Sequence, residues 1–188
     1  LGMEWAGEVA ELGPDAKGVK VGDKIMGSGG AAFAEYTLAD HGRLFRSPSN
    51  MNFDESATLP VALATMHNAV VTSGALQAGQ TVLIQGASSG VGLMAMQIAK
   101  YKGAKTVIGS STDPMRRSRL KEFGADLAVD SSDPGWVEQV LKATGGKGLD
   151  LTVDMLSGPT VSQTMACTAL RGRIVNIGRL AGMKAEFD

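Results

Sequence analysis

The sequence predicts an α/β chain, a doubly wound parallel sheet preceded by a small β-rich segment, and three observations predict it. Residues 82–92, VLIQGASSGVG, turn from bulky apolar side chains through glycines and serines into an apolar helical pattern. From Gln80 onward short apolar runs alternate with helical periodicity. Before residue 48 there are only short β patterns punctuated by glycine turns.

Taken in order, strands are expected at 5–12, 23–26, 33–38 and 44–45, with turns at Gly13-Pro14-Asp15 and Gly27–Gly30. A helix is expected over 54–72, and the domain boundary is placed after residue 60, giving segments 1–60 and 61–188. The second segment predicts strands at 81–85, 106–109, 127–129, 150–154 and 173–177. Helices are predicted between them at 90–102, 114–123, 135–144 and 160–170. Asp113 followed by Pro114 reads as an N-cap with proline at the first helical position, and Gly124 closes that helix. Such βα repeats require a parallel sheet with helices on both faces.

Composition narrows the function classes. With 188 residues, 44% of them apolar, and a formal charge of −1, the chain implies neither nucleic acid nor a membrane as partner. No charged residue lies between Ser56 and Ala99, yet Pro60, His67, Asn68, Gly74, Gln77, Gly79 and Gln80 break that stretch into pieces too short to span a bilayer. The lone Cys167 excludes an intrachain disulfide and makes a reducing cytoplasm the expected compartment. Both ends of the sequence read as cut from a longer chain.

The candidate site follows from the turn after the first parallel strand. Gly86, Gly90 and Gly92 let the backbone turn sharply and approach a ligand or strand closely. The helix beginning at Gly90 points its free N–H groups and positive dipole end at Ser88, Ser89 and Gly90, where a pyrophosphate would sit. The strict GxGxxG pattern is not met, because Ala87 and Ser89 occupy its first two glycine positions. In open sheets ligands lie beyond the carboxyl ends of the strands. After the second strand stand Ser110, Ser111 and Thr112 rather than a ribose-binding carboxylate, which leaves room for a 2′-phosphate held by hydroxyls and Arg116. Asp113 lies near the position of such a carboxylate, but its proline neighbour favours the cap. Arg117 reads as part of a solvated helix face.

These pieces resemble the medium-chain dehydrogenase/reductase superfamily, and within it the zinc-independent quinone oxidoreductase-like members. Gly2-Met3-Glu4-Trp5-Ala6-Gly7 is similar to the family's GHExxG segment and Val19–Lys24 to its VGD turn. Phe33-Ala34-Glu35-Tyr36 is similar to its AEY strand and Gly124-Ala125-Asp126 to its GAD turn. The resemblance implies a Rossmann domain preceded by part of a GroES-like β-rich domain. It also implies NADPH as cofactor, contacted by Thr65, Ser88, Ser89, Gly90, Val91, Ser111, Arg116, Asn176, Ile177 and Gly178. Thr65 is read equally well as a helix threonine bonding its own backbone. Met155 and Leu156 follow the fourth strand and would flank the nucleotide or simply pack.

One departure carries chemistry. Met3 stands where zinc-dependent relatives place a histidine ligand, a thioether is a poor zinc ligand, and His41, His67 and Cys167 lack ligand spacing, so no metal site is expected. The implied reaction is hydride transfer from NADPH to a quinone or α,β-unsaturated carbonyl without a Lewis acid. Within the same superfamily a zinc-free alcohol dehydrogenase or an enoyl-thioester reductase is the alternative, and a non-catalytic nucleotide-binding or structural protein is the alternative of another class. No catalytic acid is assigned, and Tyr36 reads as a packed strand residue. A homodimer is the implied assembly. Tyr101 and Lys105 match the YxxxK spacing of short-chain dehydrogenases, but they follow the cofactor helix directly, far ahead of where that pair works.

Overall fold

Glycine-punctuated, alternating residues give the first unit its three antiparallel strands, β1 (Glu4–Glu8), β2 (Lys24–Ser28) and β3 (Leu44–Arg46), ordered β1-β2-β3. The computed structural model describes residues 1–186. It divides into two compact units, Leu1–Ala64 and a larger one from Thr65 onward.

Two expectations for the first 72 residues are corrected. Residues 33–38 form bends rather than a strand, and Phe33, Tyr36 and Leu38 are exposed, so Tyr36 is not a packed strand residue. Alternation alone cannot make a strand without a ladder partner, and here only the Phe33 N–H finds one, at Leu1 O (3.2 Å). The single helix expected over 54–72 is three pieces: α1 (Phe53–Ser56), α2 (Pro60–His67) and a wide π-type turn over Asn68–Ser73. Asn52 and Glu55 form a capping box that starts α1. Pro60, with no N–H to donate, begins a new helix instead of continuing that one.

The larger unit is a five-stranded parallel sheet of β4 (Thr81–Gln85), β5 (Thr106–Ser110), β6 (Leu127–Val129), β7 (Leu149–Asp154) and β8 (Thr168–Asn176), in the order β6-β5-β4-β7-β8. It is the Rossmann-like α/β arrangement the sequence predicts. The strand order reverses between β4 and β7, the crevice where open sheets of this type bind ligands. Four helices join the strands: α3 (Gly90–Tyr101), α4 (Pro114–Ser118), α5 (Trp136–Ala143) and α6 (Val161–Ala166). No helix among the described residues is long and apolar enough to cross a membrane.

Both faces of this sheet are covered, as parallel sheets require. Val82, Ile84 and Val107 pack with Ala95, Met96 and Ala99 of α3 and with Met66 and Val70. Leu83 and Ile108 point the other way, into Trp136, Val140 and Cys167. Each fully buried Val, Leu, Ile or Met among them contributes on the order of 1.5–3 kcal/mol. Burial also pushes the Cys167 thiol up to about 11, so it stays neutral and packs as a small apolar group.

At the end of the chain the expected helix 160–170 is shortened. The Leu149 N–H takes Cys167 O (2.8 Å), which draws the following residues into β8, and a register irregularity opposite Leu149 and Leu151 absorbs the residues between Thr168 and Arg173. The apolar periodicity of Ala169 and Leu170 continues the helical pattern but yields to that buried strand donor.

Helix α3 lies against β4 because residue 92 is glycine. A Cβ there would fall 2.7 Å from both Cα and O of Ala87, which are backbone atoms and cannot rotate away. Gly92→Ala is expected to force α3 off the strand and cost about 1–3 kcal/mol of stability, read from the urea midpoint at unchanged m-value.

Candidate cofactor site

The β4–α3 turn is built by local chemistry. Gly86 takes φ +77°, and Ser89 caps α3 by accepting the Gly92 N–H (3.2 Å) while its hydroxyl donates to Gly86 O (2.9 Å). The first two N–H groups of α3, at Gly90 and Val91, lie ahead of any intrahelical acceptor. A Cβ at Gly90 would meet nothing within 4 Å, so the space in front of the turn is open.

The end of β5 is fastened to that turn. Ser110 O accepts the Ala87 N–H (2.8 Å), Ser110 Oγ accepts the Gly86 N–H (3.0 Å), and the Ser111 hydroxyl donates to Ser88 Oγ (3.0 Å). Ser88 and Ser111, which lie 23 residues apart on separate segments, are therefore in direct contact. Asp113 is the N-cap of α4, its Oδ1 accepting the Arg116 N–H at 3.0 Å. Its Oδ2 lies 3.7 Å from Arg116 Nε, and the Arg116 side chain is 70% exposed, free to swing toward an anion.

Arg117 is not the solvated residue the sequence suggests. Its guanidinium donates to Ser111 O (2.7 Å) and to Asp130 Oδ2 (2.9 Å), joining the ends of β5 and β6. Two basic neighbours on one short helix thus differ: Arg116 faces solvent and Arg117 braces the strand ends. Helical periodicity was the available signal, but it could not supply Arg117's partners, which lie on other strands.

On the other side of β4, Asp154 ends β7 with Oδ1 accepting the N–H groups of Leu156 (2.8 Å) and Ser157 (3.0 Å). The Ser157 backbone, at φ 55° and ψ −155°, sits where side-chain-bearing residues are rare. Asn176 Nδ2 donates to Ser157 Oγ, Ile177 N donates to Asp154 O (2.9 Å), and Gly178 passes close beside the Met155 carbonyl. Met155 is buried and its sulfur lies 3.5 Å from the Ser89 hydroxyl oxygen, so it packs under the turn. The structure therefore brings Ser88, Ser89, Gly90, Val91, Ser111, Asn176, Ile177 and Gly178 to the carboxyl ends of β5, β4, β7 and β8. Thr65 is half-buried on α2, where its hydroxyl bonds neither these residues nor its own backbone.

Metal chemistry has no comparable cluster: among the described residues no three His, Cys, Asp or Glu side chains gather, and Met3 is exposed.

Residues 90–188 match the family model described as zinc-binding dehydrogenase. A highly reducing polyketide synthase of Emericella nidulans, pkhB, is 34% identical over 185 residues, covering 95% of this chain and 7% of that protein. Among solved structures, the CurK enoyl reductase matches with a TM-score of 0.86 at 26% identity, covering 98% of this chain and 58% of the other. The quinone oxidoreductase of Pseudomonas syringae pv. Tomato DC3000 matches with a TM-score of 0.86 at 28% identity, over 99% and 57%. The mycobacterial Rv1454c, solved complexed with NADPH, matches with a TM-score of 0.86 at 26% identity, over 96% and 57%. The chain thus spans less than a tenth of that synthase and under three fifths of these solved chains.

The Arg117 brace has a titratable end. Hydrogen bonds from the Ser132 hydroxyl (2.6 Å) and N–H (2.9 Å), with Arg117 beside them, hold the Asp130 carboxyl below the usual aspartate range. The stability this confers is complete above the ordinary value of about 3.9 and is lost as pH falls through the lowered folded value. Asp130→Asn is expected to remove that part of the acid dependence and leave the rest, as urea unfolding across the acid range will show.

Proposed function

Because the chain belongs to the zinc-binding dehydrogenase family of medium-chain dehydrogenase/reductases, an oxidoreductase superfamily, we propose that it binds NADPH across the ends of β5, β4, β7 and β8 and reduces an α,β-unsaturated thioester. The observation that carries the cofactor assignment is the joined turn: Ser111 bonded to Ser88 beside the leading N–H groups of α3, with an exposed arginine on the next helix. Polyketide synthase relatives and a solved enoyl reductase favour the thioester over the quinone that the sequence resemblance put first. The quinone oxidoreductase neighbour keeps quinone reduction as the second reading.

The residues present fit a dinucleotide. The Gly90 and Val91 N–H groups and the α3 dipole would hold the pyrophosphate, and the lack of a Cβ at Gly90 lets it approach. Ser111 and Arg116 would hold the 2′-phosphate, Arg116 exchanging Asp113 for the stronger anion. The Met155–Ser157 and Asn176–Gly178 segments would flank the nicotinamide, with buried Met155 keeping water out from below. When bound, the cofactor supplies hydride to an electron-poor carbon. With Met3 in the histidine position, hydrogen bonds rather than a metal would stabilise the negative charge on the thioester oxygen, and a proton from solvent would complete the reduction at the α-carbon.

Three measurements test this. NADPH consumption is expected with a short enoyl thioester as acceptor and to be slower with a benzoquinone; no turnover of any conjugated carbonyl by the full-length protein would leave a non-catalytic nucleotide-binding role. NADPH should bind more tightly than NADH, and Arg116→Ala should remove most of that preference, on the order of 1–3 kcal/mol; equal calorimetric affinities in the unaltered protein would refute it. Elemental analysis should find no stoichiometric zinc, whereas one tightly held zinc per chain would overturn the metal-free chemistry.

A further inference from the structure

Beneath the candidate site three polar side chains are fully buried: Gln85 at the end of β4, Ser110 at the end of β5 and Thr164 on α6, each at 0% exposure. They form one directional chain. The Gly86 N–H donates to Ser110 Oγ (3.0 Å), the Ser110 hydroxyl donates to Gln85 Oε1 (2.5 Å), Gln85 Nε2 donates to Thr164 Oγ1 (3.3 Å), and the Thr164 hydroxyl donates to Thr160 O (2.9 Å). Thr160 in turn donates its own hydroxyl to Ser157 O (2.9 Å). One end is the first residue of the phosphate-facing turn and the other is the loop after β7. Gln85, Ser110 and Thr164 are too enclosed to touch a ligand, yet the chain they form ends on the backbone of both loops that face the proposed cofactor.

We infer that Gln85, Ser110 and Thr164 are positioning residues, which hold the β4–α3 turn and the β7–α6 loop at a fixed separation so that one dinucleotide can span them. The inference rests on the cofactor reading above and adds residues that touch neither cofactor nor substrate. Its physical basis is directionality. Gln85 accepts from Ser110 at one end and donates to Thr164 at the other, and it keeps both bonds only while the two hydroxyls stay within hydrogen-bond distance of the ends of one rigid amide. An apolar residue at 85 would pack equally well under either loop and specify no spacing between them. Gly86 at φ +77° is held in place from below by this hydrogen bond rather than by the ligand, which is preorganisation.

Thr164→Val is the decisive substitution, because it keeps the shape of the side chain and removes only the hydroxyl, on a helix remote from the turn. It is expected to weaken NADPH and NADH alike, by about three- to tenfold in calorimetric Kd, and to speed amide hydrogen exchange at Gly86 while the centre of β4 stays protected. Thr164→Ser should restore affinity. Ser110→Ala, which breaks the chain at the turn itself, should weaken both nucleotides at least as much. If Thr164→Val binds both nucleotides like the unaltered protein, or leaves Gly86 exchange unchanged, the positioning role is overturned whatever the melting temperature does. Loss confined to NADPH would overturn it too, since that places the effect at the 2′-phosphate. Failure of the unaltered protein to bind either nucleotide removes the cofactor reading, and the positioning role falls with it.

Discussion

The contact between Gly92 and Ala87 is the constraint from which the site follows. With no side chain at 92, α3 closes on the β4–α3 turn until backbone meets backbone, and that distance sets where the helix begins. Had the helix stood off by the width of one methyl group, its leading turn would have drawn Ser88 away from Ser111. The apolar face of α3 gains from the same closeness, since Ala95 and Ala99 are small enough to let the helix lie flat on Val82 and Val107. Packing and recognition are therefore one requirement here: the geometry that buries the helix also aims its N-terminus.

At the end of β5 the electrostatics divide the labour. Asp113 must cap α4, and a carboxylate does so well because the helix dipole favours it. That charge would repel a phosphate if it stood alone, but Arg116 one turn later screens it and keeps a mobile cation in the same place. Arg117 cannot share that task, because Asp130 and the Ser111 carbonyl already hold it. The brace it makes fixes Ser111, and Ser111 fixes Ser88, so a residue pointing away from the ligand still governs the ligand-facing hydroxyls.

The sheet and the phosphate turn were legible because their signals are local. Bulky runs for β4 and β5, a glycine-serine turn and Asp113-Pro114 each act within a few residues, and the structure places them within one or two residues of expectation. What was not legible depended on distant partners. Residues 33–38 alternate as a strand does but lack a ladder to join, and residues 168–170 look helical until Leu149 claims the Cys167 carbonyl. Pro60 was visible, yet the apolar residues around it suggested continuity across a break that its missing N–H enforces. Arg117 and the Gln85 chain belong to the same class, since hydrogen-bond partners 13, 25 or 79 residues away on other elements leave no periodic trace.

The buried polar chain also bears on why the site has two kinds of contact. In the proposed complex an anion in front of α3 would be held by partial charges that tolerate small displacements, because a dipole's field changes gradually with distance. In the proposed complex the flat nicotinamide end would have no comparable charge to steer it, so its placement would depend on where the loops after β7 and β8 stand. Those loops are defined by short-range bonds: Asp154 to the Leu156 and Ser157 N–H groups, Asn176 to Ser157, and Thr160 to the Ser157 carbonyl. Hydrogen bonds weaken steeply once distance or angle is wrong, so they transmit position where the dipole transmits only attraction. A polar chain through the core is costly unless every group is paired. Its cost is limited here because each buried side chain in it has a partner, and what it would add over an apolar core is a defined spacing between the two loops.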